Sequence, residues 1–296
     1  MTAAPLFGCI EAGGTKFVLG VARDADTMLR TARVPTTTPA ETLGAALAFF
    51  ADAQAEWGAF DALGIAAFGP IVLDRSSPHW GTIAETPKRG WSGTDLVGPF
   101  ARALACPVGF DTDVNGAVLA ESLWGAAVGA DIAVYVTVGT GIGGGALIED
   151  RPVHGSRHPE MGHMLPRRHA DDRDFAGTCP FHGDCLEGLA SGPAIHARWG
   201  ASLSELAADH PAHAIIAYYL AQLVVAQQAL LSPRRIILGG GVLATPGLLD
   251  RVRHEAATLA GGYFGTGDYA RLIVHPGLDD RAGLLGALAL AQRACR

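Results

Sequence analysis

Twice along this chain an apolar run enters a glycine-rich bend and re-emerges as another apolar run. Leu6 to Ile10 leads into Glu11 to Lys16 and out through Phe17 to Ala22. Ile132 to Val138 leads into Gly139 to Gly145, a stretch with five glycines, and out through Ala146 to Ile148. Each unit reads as a strand hairpin, and its recurrence points to a duplicated fold with two related lobes. A bend of this kind exposes successive backbone N–H groups with no side chains in the way, so it can cradle phosphate oxygens. A third bend, Gly239 to Gly241, follows the strand-like run Arg235 to Leu238. Three such bends with Thr15, Thr137 and Thr140 interleaved point to a nucleotide; for any one of them a plain tight hairpin is the alternative.

The elements between the bends set the class. Thr38, Pro39 and Glu41 form a capping-box start, after which Leu43, Leu47 and Phe50 fall on one helical face. Leu63 to Phe68 reads as a strand, and Val108 to Phe110 leads through Asp111, Thr112, Asp113 and Asn115 into the helical stretch Gly116 to Ala126. A helix over Ala214 to Leu231 and a final one near Gly283 to Ala294 complete an α/β alternation. Arg151 to Cys185 is a long loop without periodicity, of the kind that is functional or held by a ligand. Gly139, Gly141 and Gly144 match G-x-G-x-x-G, but the dinucleotide fingerprint needs a helix to follow and a strand follows here. Gly13-Gly14-Thr15-Lys16 lacks the leading glycine of a P-loop.

Composition narrows the partners. A chain 49% hydrophobic and 17% charged is not disordered, and a net charge of −7 without a basic patch excludes general attraction to nucleic acid or to an anionic membrane. Five scattered cysteines are no disulfide framework, Met1 to Phe7 carries no leader pattern, and Ala214 to Arg234 is interrupted by Gln222, Gln227 and Gln228 and ends at Pro233. That stretch reads as a buried helix, and the chain as a cytoplasmic one with small or neutral partners.

Glu11-Ala-Gly-Gly-Thr-Lys16, Thr112-Asp-Val-Asn115, Thr137-Val-Gly-Thr-Gly-Ile-Gly-Gly-Gly145, Glu160-Met-Gly-His163, Cys179-Pro-Phe-His-Gly-Asp-Cys185 with Glu187, and Ile237-Leu-Gly-Gly-Gly-Val242 together resemble the ROK family of sugar kinases, in order and over nearly the whole chain. Thr86-Pro-Lys-Arg-Gly-Trp91 and the Cys-Pro-x-His-Gly-x-Cys loop resemble its bacterial fructokinase branch. The resemblance implies a two-lobed, actin-like ATPase fold of the ribonuclease H type, with the active-site cleft between the lobes. It assigns residues 1–116, joined by the last helix at 283–296, to one lobe and 117–282 to the other, and it implies a homodimer. It places Gly13, Gly14, Thr15 and Lys16 on the β- and γ-phosphates of ATP, Thr137, Gly139 and Thr140 on a second phosphate contact, and Gly239, Gly240 and Gly241 by the adenosine. Where the family commonly has Asp to organise Mg²⁺, this chain has Glu11, which keeps the charge and lengthens the reach.

Transfer of a phosphoryl group to a hydroxyl needs in-line positioning, Mg²⁺ and an acceptor for the hydroxyl proton. Asp113, after a strand and at a helix start, matches the family's catalytic Asp; a helix N-cap is its ordinary alternative. Asn115 of the same motif, Glu160, His163 and Glu187 are expected to bind the sugar, whose hydroxyls need polar partners once buried. A plain surface carboxylate is the alternative for Glu160; His158 either approaches the same pocket or is a solvated loop histidine. Cys179, His182 and Cys185 with His163 upstream make a complete tetrahedral set for a structural Zn²⁺, a Cys179–Cys185 disulfide being the alternative. The expected activity is phosphorylation of fructose to fructose 6-phosphate with Asp113 as general base. The alternatives are a mannose, glucose or broader hexose kinase, a catalytically silent sugar sensor, and an actin-type structural protein. Thr112, where glucose-phosphorylating members usually have Asn, argues against glucose.

Overall fold

The computed structural model describes residues 4–264 and 267–296. The part of the leader expectation that concerns Met1 to Ala3 lies outside the described residues. The chain divides into two compact units, residues 4–124 with 154–158 and 278–296, and the described residues of 125–153 and 159–277.

In the first unit, β1 (Phe7–Ala12) and β2 (Lys16–Ala22) form the expected hairpin, with Ala12 opposite Phe17. β2 pairs antiparallel with β3 (Met28–Pro35); β1 pairs parallel with β4 (Ala62–Ala67), and β4 with β5 (Val108–Thr112). The sheet order is β3-β2-β1-β4-β5. β4, the run Ala-Leu-Gly-Ile-Ala-Ala, is buried along its whole length, as a parallel strand covered on both faces must be. Helix α1 (Pro39–Trp57) starts with the capping box read from Thr38 and Glu41 and buries Leu43 and Phe50. Helix α2 (Gly98–Leu104) adds Phe100 to the same core, edge-on to Phe50 at 6.1 Å. Helix α3 (Asp113–Trp124) follows β5 directly. The expected lobe boundary after residue 116 falls inside α3, whose whole length packs with the first unit.

The second unit repeats the plan. β6 (Ile132–Val138) pairs antiparallel with β7 (Ile142–Ile148), β7 with β8 (Arg151–Pro152), and β6 parallel with β9 (Arg235–Gly239), which pairs with β10 (Ile273–Val274). Its order, β8-β7-β6-β9-β10, is that of the first sheet strand for strand, so the duplication read from the two hairpins holds at the level of topology. The second bend is shorter than expected. β7 starts at Ile142, and Gly143, Gly144 and Gly145 are strand residues paired with Thr137, Val136 and Tyr135. A Cβ at Gly144 would lie 2.6 Å from the Met161 sulfur, so glycine is needed there for packing and not for turning.

Helices α4 (Leu186–Ala190), α5 (Gly192–Trp199), α6 (Ala212–Leu231), α7 (Leu248–Ala260) and the single turn α8 (Tyr269–Leu272) build the rest of this unit. By length and composition alone α6 could cross a membrane, with a mean hydropathy of 1.6 over its most apolar stretch, but half of that stretch is buried within the protein. Tyr219, Leu220 and Val224 lie in the unit's core, where α6 packs on α7, so it is a core helix as expected. The chain ends with α9 (Ala282–Ala294), which lies on β4, β5 and α3 of the first unit. The approach is backbone to backbone: a Cβ at Gly64 would sit 1.8 Å from the Ala287 carbonyl oxygen, and one at Gly109 2.2 Å from that of Leu290.

Candidate active site and metal centre

The bend between β1 and β2 is closed by a hydrogen bond from Gly13 N–H to the Lys16 carbonyl, 3.0 Å. Among the described residues the N–H groups of Gly14 and Thr15 find no acceptor, and both residues are exposed. A Cβ on Gly14 would meet nothing within 4 Å, so the space above the bend is open. The bend is braced from behind: Thr36 donates its hydroxyl to the Gly13 carbonyl at 2.8 Å and its N–H to the Thr15 carbonyl at 3.0 Å. This is the geometry of an anion cradle.

At the end of β5 the chain turns into α3 through Asp111, Thr112 and Asp113. The helix is capped by Thr112, whose hydroxyl accepts from Asn115 N–H at 3.2 Å, while the Asp113 carboxylate accepts from the adjacent Val114 N–H at 2.9 Å. The capping alternative for Asp113 therefore fails, because Thr112 holds that place. Asp113 is half-buried. Glu11, at the end of β1, lies against the first turn of α9, where a Cβ at Gly283 would fall 2.3 Å from its carboxyl carbon. Burial, and next the charge of Asp113, push Glu11 up to about 7, against the opposing pull of Lys16.

Asp111 and His154 are functional candidates that the sequence reading left without a role. Buried Asp111 accepts from Thr112 N–H (2.8 Å) and from the Asn115 amide (2.7 Å), and forms an ion pair with His154 Nε2 at 3.0 Å. That hydrogen bond holds the His154 imidazole above its ordinary range, with burial opposing. Because a carboxylate only accepts, Asn115 must offer Asp111 its NH₂, which leaves the buried Asn115 Oδ1 without a hydrogen-bond partner. The pairing spans 43 residues and was invisible in local pattern. His158 is not a solvated loop residue: it is buried, and its Nε2 accepts from Ile71 N–H at 3.1 Å.

In the second unit the other two bends lie side by side at the carboxyl ends of β6 and β9. Val242 N–H donates to the Val138 carbonyl at 3.0 Å, and Gly240, with φ of 90°, lies so close that a Cβ would be 2.5 Å from that carbonyl oxygen. Thr140 and Gly241 are exposed, and Thr137 is half-buried at the end of β6. Glu187, near the start of α4, has one carboxylate oxygen on the Ile142 N–H at 2.8 Å, and the Gly139 carbonyl accepts from Gly192 N–H at 2.8 Å. Glu160 is exposed and its carbonyl accepts from His163 N–H at 3.0 Å, which sets both on one short 3₁₀ turn.

His163, Cys179, His182 and Cys185 converge, with ligand atoms all within 4.8 Å of one another. The Cys179 sulfur is 3.8 Å from His163 Nδ1 and 3.7 Å from His182 Nδ1, and the Cys185 sulfur is 3.5 Å from His163 Nδ1. A tetrahedron with the usual Zn–S and Zn–N bond lengths has S···N edges of about 3.5–3.6 Å, within about 0.3 Å of these separations. Cys179 and Cys185 are free thiols, so the disulfide alternative is not what the fold builds. Burial, with the neighbouring Cys179, pushes the Cys185 thiol up to about 11; a bound cation would offset that cost. The knuckle is held tightly, since Cys179 and Gly183 exchange N–H···O bonds of 3.1 and 2.9 Å. Buried Asp172 pins the rest of the loop, pairing with Arg198 and accepting from the Tyr219 hydroxyl at 2.7 Å.

A family model described as the ROK family matches residues 7–294. The chain is 55% identical to a fructokinase of Zymomonas mobilis over 289 residues, 97% of this chain and 96% of that one. It is 41% identical to a putative fructokinase of Bacillus subtilis, over 98% and 96% of the two chains. Among solved structures it superimposes on a ROK hexokinase from Thermus thermophilus with a TM-score of 0.79 at 28% identity, covering 97% and 98%. The chain belongs to the ROK family, and its fold is that of the ROK sugar kinases.

Proposed function

We propose that this protein is an ATP-dependent fructokinase that transfers the terminal phosphoryl group to the 6-hydroxyl of fructose. The observation that carries the reading is the near full-length similarity to fructokinases, 55% identical in the first case. The site supplies the chemistry. Asp113 takes the hydroxyl proton, Gly13, Gly14, Thr15 and Lys16 hold the β- and γ-phosphates, Thr137, Gly139 and Thr140 give a second phosphate contact, and Gly239 to Gly241 lie by the adenosine. Asn115, Glu160, His163 and the second oxygen of Glu187 bind the sugar. Glu11 would organise Mg²⁺ or its waters; burial, and next the charge of Asp113, raise its carboxyl, and a dication beside it would favour the charged form. Bound Mg²⁺ neutralises charge on the phosphate oxygens. His163, Cys179, His182 and Cys185 would hold a structural Zn²⁺, which leaves His163 Nε2 for the sugar side. A reducing cytoplasm suits two cysteines needed as thiolates. A homodimer is inferred from the family resemblance alone.

The test is a set of initial rates with ATP and Mg²⁺ on fructose, mannose and glucose, read by ADP release. The highest kcat/KM is expected on fructose. A higher value on mannose or glucose would make this a broader hexose kinase, and no sugar-dependent ADP release would leave a sugar sensor. Metal analysis of protein purified without chelator should give one zinc per chain, and removal of the metal should lower the melting temperature by several degrees; protein lacking zinc yet equally stable would refute the metal centre.

A further inference from the structure

Thr86-Pro-Lys-Arg-Gly-Trp91, the segment that resembles the fructokinase branch, lies outside the residues assigned to ATP and sugar above. In the structure it is a rigid turn fastened behind the first phosphate bend. Trp91 is fully buried, donates its indole N–H to the Thr37 carbonyl at 2.9 Å, and packs on Phe17 (5.6 Å) and Phe68 (5.8 Å). Trp91 N–H returns to the Lys88 carbonyl at 3.1 Å, and Ser92 closes the turn through Thr86 N–H, also at 3.1 Å. The backbone of Lys88 is thus fixed, and its ammonium reaches across to donate a hydrogen bond to the Gly14 carbonyl.

This cation is unneutralised. Among the described residues Lys88 forms no ion pair. Lys16, the other lysine at the bend, differs: it lines a cavity of about 570 Å³ with Glu11, Arg33, Asp280 and Arg281, and its charge acts on Glu11. One of the three donors of the Lys88 ammonium meets a neutral carbonyl, beside the unpartnered N–H groups of Gly14 and Thr15. A full positive charge and two free N–H dipoles at one open bend are matched by a polyanion. The bend also adjoins the proposed base, since Glu11, just before it, feels the charge of Asp113. On the kinase reading above, the phosphoryl group held at this bend is the one transferred.

We infer that Lys88 is a further catalytic residue, whose ammonium contacts the terminal phosphoryl group of ATP and stabilises the charge on it during transfer. This rests on the kinase reading above. The bond from the γ-phosphorus to the bridging oxygen breaks, the bond to the sugar oxygen forms, the hydroxyl proton passes to Asp113, and ADP leaves carrying the bond electrons. Lys88 exchanges no proton; it acts as a fixed point charge.

The test compares wild type with Lys88→Met and Lys88→Arg by kinetics, and by calorimetric binding of ADP and a non-hydrolysable ATP analogue. Expected for Lys88→Met are a kcat lower by about 10²–10³-fold, a KM for fructose within about twofold, unchanged affinity for ADP, and loss of the preference for the analogue over ADP. Lys88→Arg should recover part of both. Wild-type kcat together with a wild-type analogue preference in Lys88→Met would overturn the assignment. So would equal weakening of both nucleotides with a lower melting temperature, which would make Lys88 a brace of the bend only. If the wild type itself phosphorylates no sugar, the kinase reading falls, while the analogue preference still decides whether Lys88 contacts the terminal phosphate.

Discussion

The two hairpins that reveal the duplication are built on the same ladder and braced by opposite chemistry. The bend after β1 is held at its carbonyls, by the Thr36 hydroxyl and N–H and by the Lys88 ammonium. The bend after β6 is held at one carbonyl, by Gly192 N–H on Gly139, and, unlike the first, also through an N–H, by the Glu187 carboxylate on Ile142, with a Cβ at Gly141 only 2.6 Å from that oxygen. Bracing at carbonyls leaves N–H groups to face outward and adds positive charge; bracing by a carboxylate uses a donor and adds negative charge. The repeated strand order preserves the position of each bend, while residues from outside the hairpins decide what each can bind.

The largest expected effect separates the first unit's chemistry from its scaffold. Asp113→Asn should lower kcat by about 10²–10⁴-fold and leave the melting temperature within about two degrees, because Thr112 keeps the helix cap. Steady-state kinetics beside thermal melts would show it, and near-normal turnover would remove Asp113 from the mechanism. A smaller effect contrasts glycines of the two units. Gly240→Ala, with φ of 90° and the Val138 backbone 2.5 Å from the new carbon, should cost about 2–4 kcal/mol in denaturant unfolding. Gly14→Ala, with open space at the same position, should change stability by less than about 0.5 kcal/mol and instead weaken nucleotide binding. Equal destabilisation by both would mean that the first bend is packed and not open.

The smallest effect concerns pH and again only the first unit. The bond to Asp111 raises His154 in the folded state, so its stabilising contribution is full below the ordinary histidine value of about 6.5 and is lost as pH rises through the raised folded value. The melting temperature of wild type should exceed that of His154→Gln at pH 6 and converge with it by about pH 9. A gap that widens with pH would mean that the pair does not form.

The hairpins, the capping box of α1, the core helix α6 and the convergence of His163, Cys179, His182 and Cys185 were legible in the sequence because each depends on neighbours close along the chain. The structure places Gly143 to Gly145 in a strand and not in the bend, because a run of strand glycines, of which Gly144 leaves room for Met161, has the composition of a turn. His154 and Lys88 escaped for a different reason. Each acts through a partner far along the chain, Asp111 and Gly14, and each sits in a stretch with no periodicity to mark the direction of its side chain. Thr112, read as a departure bearing on sugar choice, is also the residue that frees Asp113 from capping.

The glycine-lined seat of α9 has a consequence for biosynthesis. Residues 4–124 leave the ribosome long before 282–294, and β4, β5 and α3 offer bare backbone to a helix not yet translated. The nascent first unit must therefore wait, with one face of its sheet uncovered, until the intervening unit has been made. That interval is when a chaperone would be expected to engage this chain.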